Sequence, residues 1–433
     1  MRVLKQNPWL PSLGVLLAAV MIAGSARADV TTDEPGSIVI FPKVISDGTR
    51  DTLIQLTNTS NGSQHVTCVY VDTSSASNGL CSGNTPPAQP CTTDSDCTAN
   101  VDNGTCIHCE AVNYLISLTP LQPTVWRVST GRDEADQSNG IFIGSIGAHA
   151  LFQGEVKCFQ TDVDGVPIGG NALKGEAMIE NLTTGQISEY NGVAIKAVSS
   201  TTVAPVCVGG SNAGQPCTTN SQCETGATAG VCAISLNLDN SEYNACPAQL
   251  LVNHFSGGAE DPSTGATVVS ELTLAPCSES LETGPPTSTS ATFNSYNEME
   301  QFVVSKIVPF TCWLNIRIGE QAGDGVPADE VGDPRITPGL DATTVGSVFA
   351  KTRVFTSTGD SDVCVGGDNP GASCTAPATG CLGGGTCGGP ASGIIGVLEE
   401  FHSLTGVPTG TAAVNLHEVG SRVLDTITLM PSE

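Results

Sequence analysis

Apolar and polar residues alternate, or run in short β-branched stretches, along most of the 433-residue chain. SIVIFPKVI (37–45), DTLIQLTN (51–58), HVTCVYVD (65–72), NYLISLTP (113–120), TVWRVS (124–129), LFQGEVKCFQ (151–160) and EAMIENL (176–182) follow one another, each bounded by Gly, Asn, Asp or Pro. A period of two buries one face of a strand, and the bounding residues supply the turns. Seven strands at this spacing predict an immunoglobulin-like β-sandwich between about 37 and 198.

The second half repeats the order. SLTPLQPTVWRVSTG (117–131) has a counterpart in SKIVPFTCWLNIRIG (305–319), and 175–198 lies against 396–419 without a gap, matching Gly175 to Gly396, Gly185 to Gly406, Val193 to Val414 and Val198 to Val419. GSIVIFPKVISDG at the front matches CPAQLLVNHFSGG (246–258) in pattern. Similarity in a shared order is the mark of duplication. The expected fold is therefore all-β, with two tandem immunoglobulin-like β-sandwiches at 29–200 and 235–433. Trp126 and Trp313 fall on equivalent strands and are expected in the two cores.

The cysteines interrupt this pattern. Cys81, Cys91, Cys97 and Cys106 are separated by nine, five and eight residues, and Cys207, Cys217, Cys223 and Cys232 repeat the same gaps. A third copy, Cys364, Cys374, Cys381 and Cys387, keeps the nine and then has six and five. Each copy packs four cysteines into about 25 polar residues that lack the apolar side chains for a core. No copy has the C-x2-C pair that brings two thiolates to one tetrahedral zinc, or the βαβ setting of a redox pair. Paired disulfides, each contributing roughly 2–4 kcal/mol, fit best. Connectivity within a module stays open among three possibilities. The modules fall as insertions: 81–109 inside the first sandwich, 201–234 as a linker between the two, and 364–387 inside the second. Cys68 with Cys158, and Cys246 with Cys277, lie on strands expected to be neighbours and are assigned as bonds. Cys109 and Cys312 are left without a geometric argument.

The four-cysteine modules resemble repeats in secreted and envelope proteins of deltaproteobacteria, the group that includes the myxobacteria. The resemblance covers about 80 residues over the three copies. It implies an extracellular bacterial setting and carries no activity and no functional residue.

Composition agrees with that setting. The first 28 residues combine Arg2 and Lys5, an apolar run and Ala26-Arg27-Ala28, which reads as a secretory signal peptide. No later apolar run reaches the roughly 18 residues of a membrane helix. Sixteen basic residues stand against 43 acidic ones, a formal charge of −27 that repels phosphate backbones and anionic lipid. Nucleic acid and membrane insertion are therefore not expected, and the partner is expected to be an extracellular protein or surface component.

Motifs for a reaction are missing: the chain contains no G-x-S-x-G, no H-E-x-x-H, no phosphate-binding glycine loop and no dinucleotide fingerprint in a strand-to-helix setting. LEEFH (398–402) and NLHE (415–418) gather Glu399, Glu400, His402, His417 and Glu418. Glu400, His402, His417 and Glu418 are the candidate metal ligands, although a simple hairpin about Gly406 would offset the two histidines by on the order of 20 Å. TDVDG (161–165) and 323–341 concentrate the oxygen ligands that Ca2+ takes, without an EF-hand pattern. Taken together, the sequence points to an exported, non-enzymatic structural or adhesive protein of the cell surface, periplasm or extracellular space. The competing readings are a hydrolase or metal-dependent enzyme with a site near 399–418, and a calcium-stabilised adhesin.

Overall fold

The structure is a computed structural model that describes residues 30–73, 109–133, 152–198, 230–281, 289–310, 312–323, 330–357, 392–404, 407–421 and 425–429. It also describes 204–209, 212, 215–223, 326 and the short module strands at 79–81, 90–91, 106–107, 362–365, 373–374 and 386–389. The expected signal peptide lies outside these residues.

Strands dominate, as the alternation requires. The first sheet has the order β13 (Val193–Ile195), β1 (Ile38–Ser46), β10 (Phe152–Thr161), β3 (Gln64–Asp72), β7 (Glu110–Leu118). The second runs β12 (Ile187–Asn191), β11 (Leu173–Asn181), β2 (Arg50–Asn58), β8 (Pro123–Arg127), β9 (Arg132–Asp133). The third runs β28 (His417–Ser421), β16 (Pro247–Phe255), β22 (Phe349–Ser357), β19 (Thr289–Asn297), β20 (Phe302–Phe310), and the fourth β27 (Val407–Asn415), β26 (Ile394–Leu404), β17 (Thr267–Pro276), β21 (Leu314–Ile318). The third therefore follows the first strand for strand, and the fourth follows four strands of the second, in the order that the sequence alignments anticipate. A fifth sheet, β14 (Val206–Gly209), β15 (Gly230–Leu238), β29 (Asp425–Leu429), β18 (Glu279–Ser280), has no counterpart in the duplication.

These five sheets are arranged as a five-bladed β-propeller, which overturns the expectation of two tandem immunoglobulin-like β-sandwiches. The burial of the first sheet shows why the expectation failed. All nine residues of β1 are buried. Val39 and Phe41 enter a core with Ile54, Leu56, Trp126 and Ala177 of the second sheet, while Ile38 and Ile40 enter another with Ile234, Leu236 and Ile427 of the fifth. A free-standing sandwich leaves its outer faces to water. Here both faces of one sheet are dry, and the second core takes residues from both halves of the chain.

Within the second cysteine module, Cys207 bonds Cys223 and Cys217 bonds Cys232. These four sulfur-bearing side chains make up a buried cluster of their own, so cross-links stand in for an apolar interior. In all three modules the first and fourth cysteines face each other across an antiparallel pair: Cys207 opposite Cys232, Cys81 opposite Cys106 and Cys364 opposite Cys387. The last two pairs belong to small sheets, β5 (Pro90–Cys91), β4 (Gly79–Cys81), β6 (Cys106–Ile107) and β24 (Ser373–Cys374), β23 (Asp362–Val365), β25 (Thr386–Gly389). The cysteine side chains of the first and third modules lie outside the described residues.

Cys68 bonds Cys158 across adjacent strands, Cys246 bonds Cys277, and Cys109 bonds Cys312 over a sequence separation of 203. The last bond ties the two halves together. Beside it, Trp313 packs on Val71 and Cys312 and donates its indole N–H to the Pro42 carbonyl at 2.8 Å. Trp126 fills the first core as expected, with its N–H on the Tyr70 hydroxyl. Trp313, by contrast, belongs to the seam and not to a core of its own half. Replacing Cys109 and Cys312 together by Ser should lower stability by roughly 2–4 kcal/mol in denaturant unfolding followed by fluorescence, with the far-ultraviolet dichroism of the folded protein unchanged.

Candidate functional site

Pro42 and Lys43 sit where β1 slips register against β10, between Phe41 and Val44. Proline cannot donate to a ladder, and such a slip redirects the neighbouring side chain. The backbone N–H of Lys43 is held by the Tyr190 hydroxyl, which also donates to the Lys43 carbonyl. Lys43 thereby crosses the seam into the second half.

There it meets two carboxylates. Glu271 on β17 and Glu399 on β26 are direct register partners, a placement in which like charges repel. Lys43 Nζ lies 2.9 Å from Glu271 Oε2 and 2.7 Å from Glu399 Oε2, and all three side chains are buried. Arg50 Nη1 reaches Glu271 at 3.0 Å, Arg317 Nη2 reaches it at 2.7 Å, and the Ser188 hydroxyl donates to Glu399. Burial alone would raise the Glu271 carboxyl, but Lys43, Arg50 and Arg317 outweigh it and hold the group well below the usual carboxylate range. A second buried trio lies nearby: Lys157 Nζ contacts Glu155 at 2.6 Å and also Glu279. Two carboxylates share one ammonium, and burial, reinforced by Glu279 against the opposing pull of Lys157, raises Glu155 to about 8.

Over the first cluster opens a cavity of about 340 Å3 along the seam. The first half contributes the β1–β2 turn, with Asp47 and Arg50, and the β11–β12 turn, with Asn181 and Gln186. The second half contributes Arg317, Glu330, Phe401 and Thr411. The turn that carries Asp47 is fixed by Gly48 at φ +83° and by the Asp47 carboxylate, which accepts the N–H groups of Thr49 and Arg50 at 2.9 and 2.7 Å. Thr411 stands opposite Phe401 in the β26–β27 register.

The four proposed metal ligands are dispersed by this arrangement. Glu400 and His402 lie on β26, whereas His417 and Glu418 lie on β28 of another sheet, paired with Leu251 and Leu250. His402 packs edge-on against Phe255 and stands 3.9 Å from Asp261. Burial, with Asp261 adding, raises the Glu400 carboxyl. Among the described residues, the one group of three potential ligand atoms within 4.8 Å is Cys207, Cys217 and Cys223, all engaged in disulfides. In the expected calcium loops, Asp162 caps its own turn through the N–H groups of Asp164 and Val166, Asp333 pairs with Arg335, and Asp341 caps a short helix at Thr343 and Thr344. Residues 324–325 and 327–329 of the second loop lie outside the described residues.

Sequence reasoning reached Glu399 as one of an acidic cluster but missed Lys43, Arg50, Glu271 and Arg317. One signal was available for Lys43: a proline inside an otherwise apolar strand, FPKV, marks a bulge or an edge. The five disulfides among the described residues are consistent with an oxidising extracellular or periplasmic compartment. No helix among the described residues is long and apolar enough to cross a membrane.

Lys43→Met should destabilise by about 3–5 kcal/mol, because two facing carboxylates stay buried without their shared cation; thermal and denaturant unfolding measure it. Glu155 carries the opposite pH signature to Glu271. Its raised value means that its contribution is full below about 4.5 and is lost as pH rises through about 8. Glu155→Gln should therefore flatten the decline in melting temperature between pH 5 and about 8. Neither protein-family models nor curated proteins match the chain.

Proposed function

We propose that the protein is an exported, non-enzymatic component of the bacterial cell surface or extracellular space, with a structural or adhesive role. The observation that carries this reading is the covalent framework. All ten cysteines whose side chains are described are paired, and one pair, 203 residues apart in sequence, holds the two halves together. Such bonds persist in an oxidising compartment and are rare under cytosolic reduction. The likeness of the cysteine modules to repeats of secreted deltaproteobacterial proteins supports the same setting, as does the basic and apolar leader. The acidity, at −27, suits a solvated surface that does not approach nucleic acid or anionic lipid.

An enzymatic site at 399–418 draws less support, since His402 and His417 stand on different sheets and Glu399 is committed to Lys43. Fractionation of the producing cells with thiol labelling tests the proposal. The protein should appear in the envelope or medium with its cysteines blocked to alkylation, and cells lacking it should lose adhesion or surface integrity. A cytosolic protein with free thiols would overturn the reading. Melting with and without a chelator separates a calcium-stabilised adhesin from a metal-independent one: a fall of several degrees on chelation marks the former.

A further inference from the structure

We infer that the seam cavity is a binding site for a neutral saccharide. This names a ligand for the adhesive reading, and rests on that reading only for where the ligand would be met. The first argument is charge. The cavity wall carries two permanent cations, Arg50 and Arg317, two carboxylates, Asp47 and Glu330, and the His402 imidazole. The wall is thus balanced inside a chain of −27. An anionic ligand gains nothing from a balanced wall and is repelled by the whole molecule. A cationic ligand would have to lie against two arginines that are already held in place. An uncharged polyhydroxyl ligand meets neither cost.

The second argument is the kind of group that the wall presents. Asp47 and Glu330 accept, Asn181 and Gln186 can donate and accept, and Ser403 and Thr411 add hydroxyls. The groups are fixed in advance. Arg50 is anchored to Asp47 and Glu271, and Glu330 takes the Ser403 hydroxyl on Oε1 at 3.1 Å. Phe401 adds a ring against which the apolar face of a sugar can lie. At about 340 Å3 the cavity falls in the range of small-ligand sites.

The third argument is an orphan. The Thr411 hydroxyl is buried and has no hydrogen-bond partner. A buried polar atom left unpaired is costly and calls for an explanation. Thr411 lines the cavity opposite Phe401 through its other atoms, and in the χ1 rotamer that turns the hydroxyl toward the cavity a sugar hydroxyl would supply the missing partner.

Thr411→Val separates binding from folding, because it removes a hydroxyl that has no partner in the free protein. The full-length, disulfide-bonded protein is screened on an array of neutral and acidic glycans, and hits are measured by titration calorimetry with the free mono- or disaccharide. Neutral sugars should bind, and Thr411→Val, Phe401→Leu and Glu330→Gln should each weaken binding roughly tenfold. Thr411→Val should do so without lowering the melting temperature, and Ile307→Ser, on the exposed face of β20, should leave affinity unchanged. The inference is overturned if no neutral sugar binds, if binding survives all three cavity variants, or if the cavity takes only acidic glycans or free amino acids. Cell fractionation decides the exported reading separately: a cytosolic protein that binds sugar sinks that reading alone, and a surface protein that binds none sinks this inference alone.

Discussion

Two glutamates facing each other across a β-ladder, with a lysine from elsewhere in the chain held between their charges, set the terms for the rest of the molecule. Glu271 and Glu399 are neighbours by register, and backbone pairing leaves them no way to part. Buried carboxylates need a cation with good geometry and further hydrogen bonds. Lys43 supplies the cation, while Arg50, Arg317 and Ser188 supply the hydrogen bonds. Since Lys43, Arg50 and Ser188 come from the first half and the carboxylates from the second, the charge cluster is satisfied only when the halves are docked. The cavity, which Arg50 and Arg317 of this cluster line together with residues of both halves, exists on the same condition.

Sulfur and packing act beside the charges at different length scales. In the second module, two disulfides enclose a cluster of cysteines and do the work of a core. At the seam, Cys109–Cys312 adds a covalent tie next to Trp313, whose N–H reaches across to Pro42. Between the first and fifth sheets, Ile38, Ile40, Ile234, Leu236 and Ile427 form an apolar layer that joins early, middle and late segments of the chain. These contacts make a continuous molecule of what the sequence presents as two repeats.

The strands themselves were legible because period-two patterning and turn residues are local properties. DTLIQLTN became β2 with alternating burial, and the alignments of 117–131 with 305–319 and of 175–198 with 396–419 met strands in matching places in their sheets. The pairings of Cys68 with Cys158 and of Cys246 with Cys277 follow from the same local reading. What could not be read was where each strand turns its second face. SIVIF is apolar without alternation, a pattern that fits a strand covered on both sides as well as one in a sandwich. Its second cover comes from 234–238 and 425–429, which no local rule connects to it. The cavity was hidden for the same reason. Arg50 and Arg317 look like ordinary polar positions of their strands until Glu271, more than two hundred residues from one and about fifty from the other, is placed between them. Cys109 and Cys312 were left over because their partnership belongs to the seam and not to either repeat.

A chain made of two similar halves has an obvious way to go wrong: each half can dock on its counterpart in a second molecule and make the same contacts there, at little energetic cost. The Cys109–Cys312 bridge closes that route once it forms within one molecule, because halves that are covalently tied cannot trade partners. Oxidation of Cys109 and Cys312 within one molecule therefore selects the docking of its own two halves as well as adding stability.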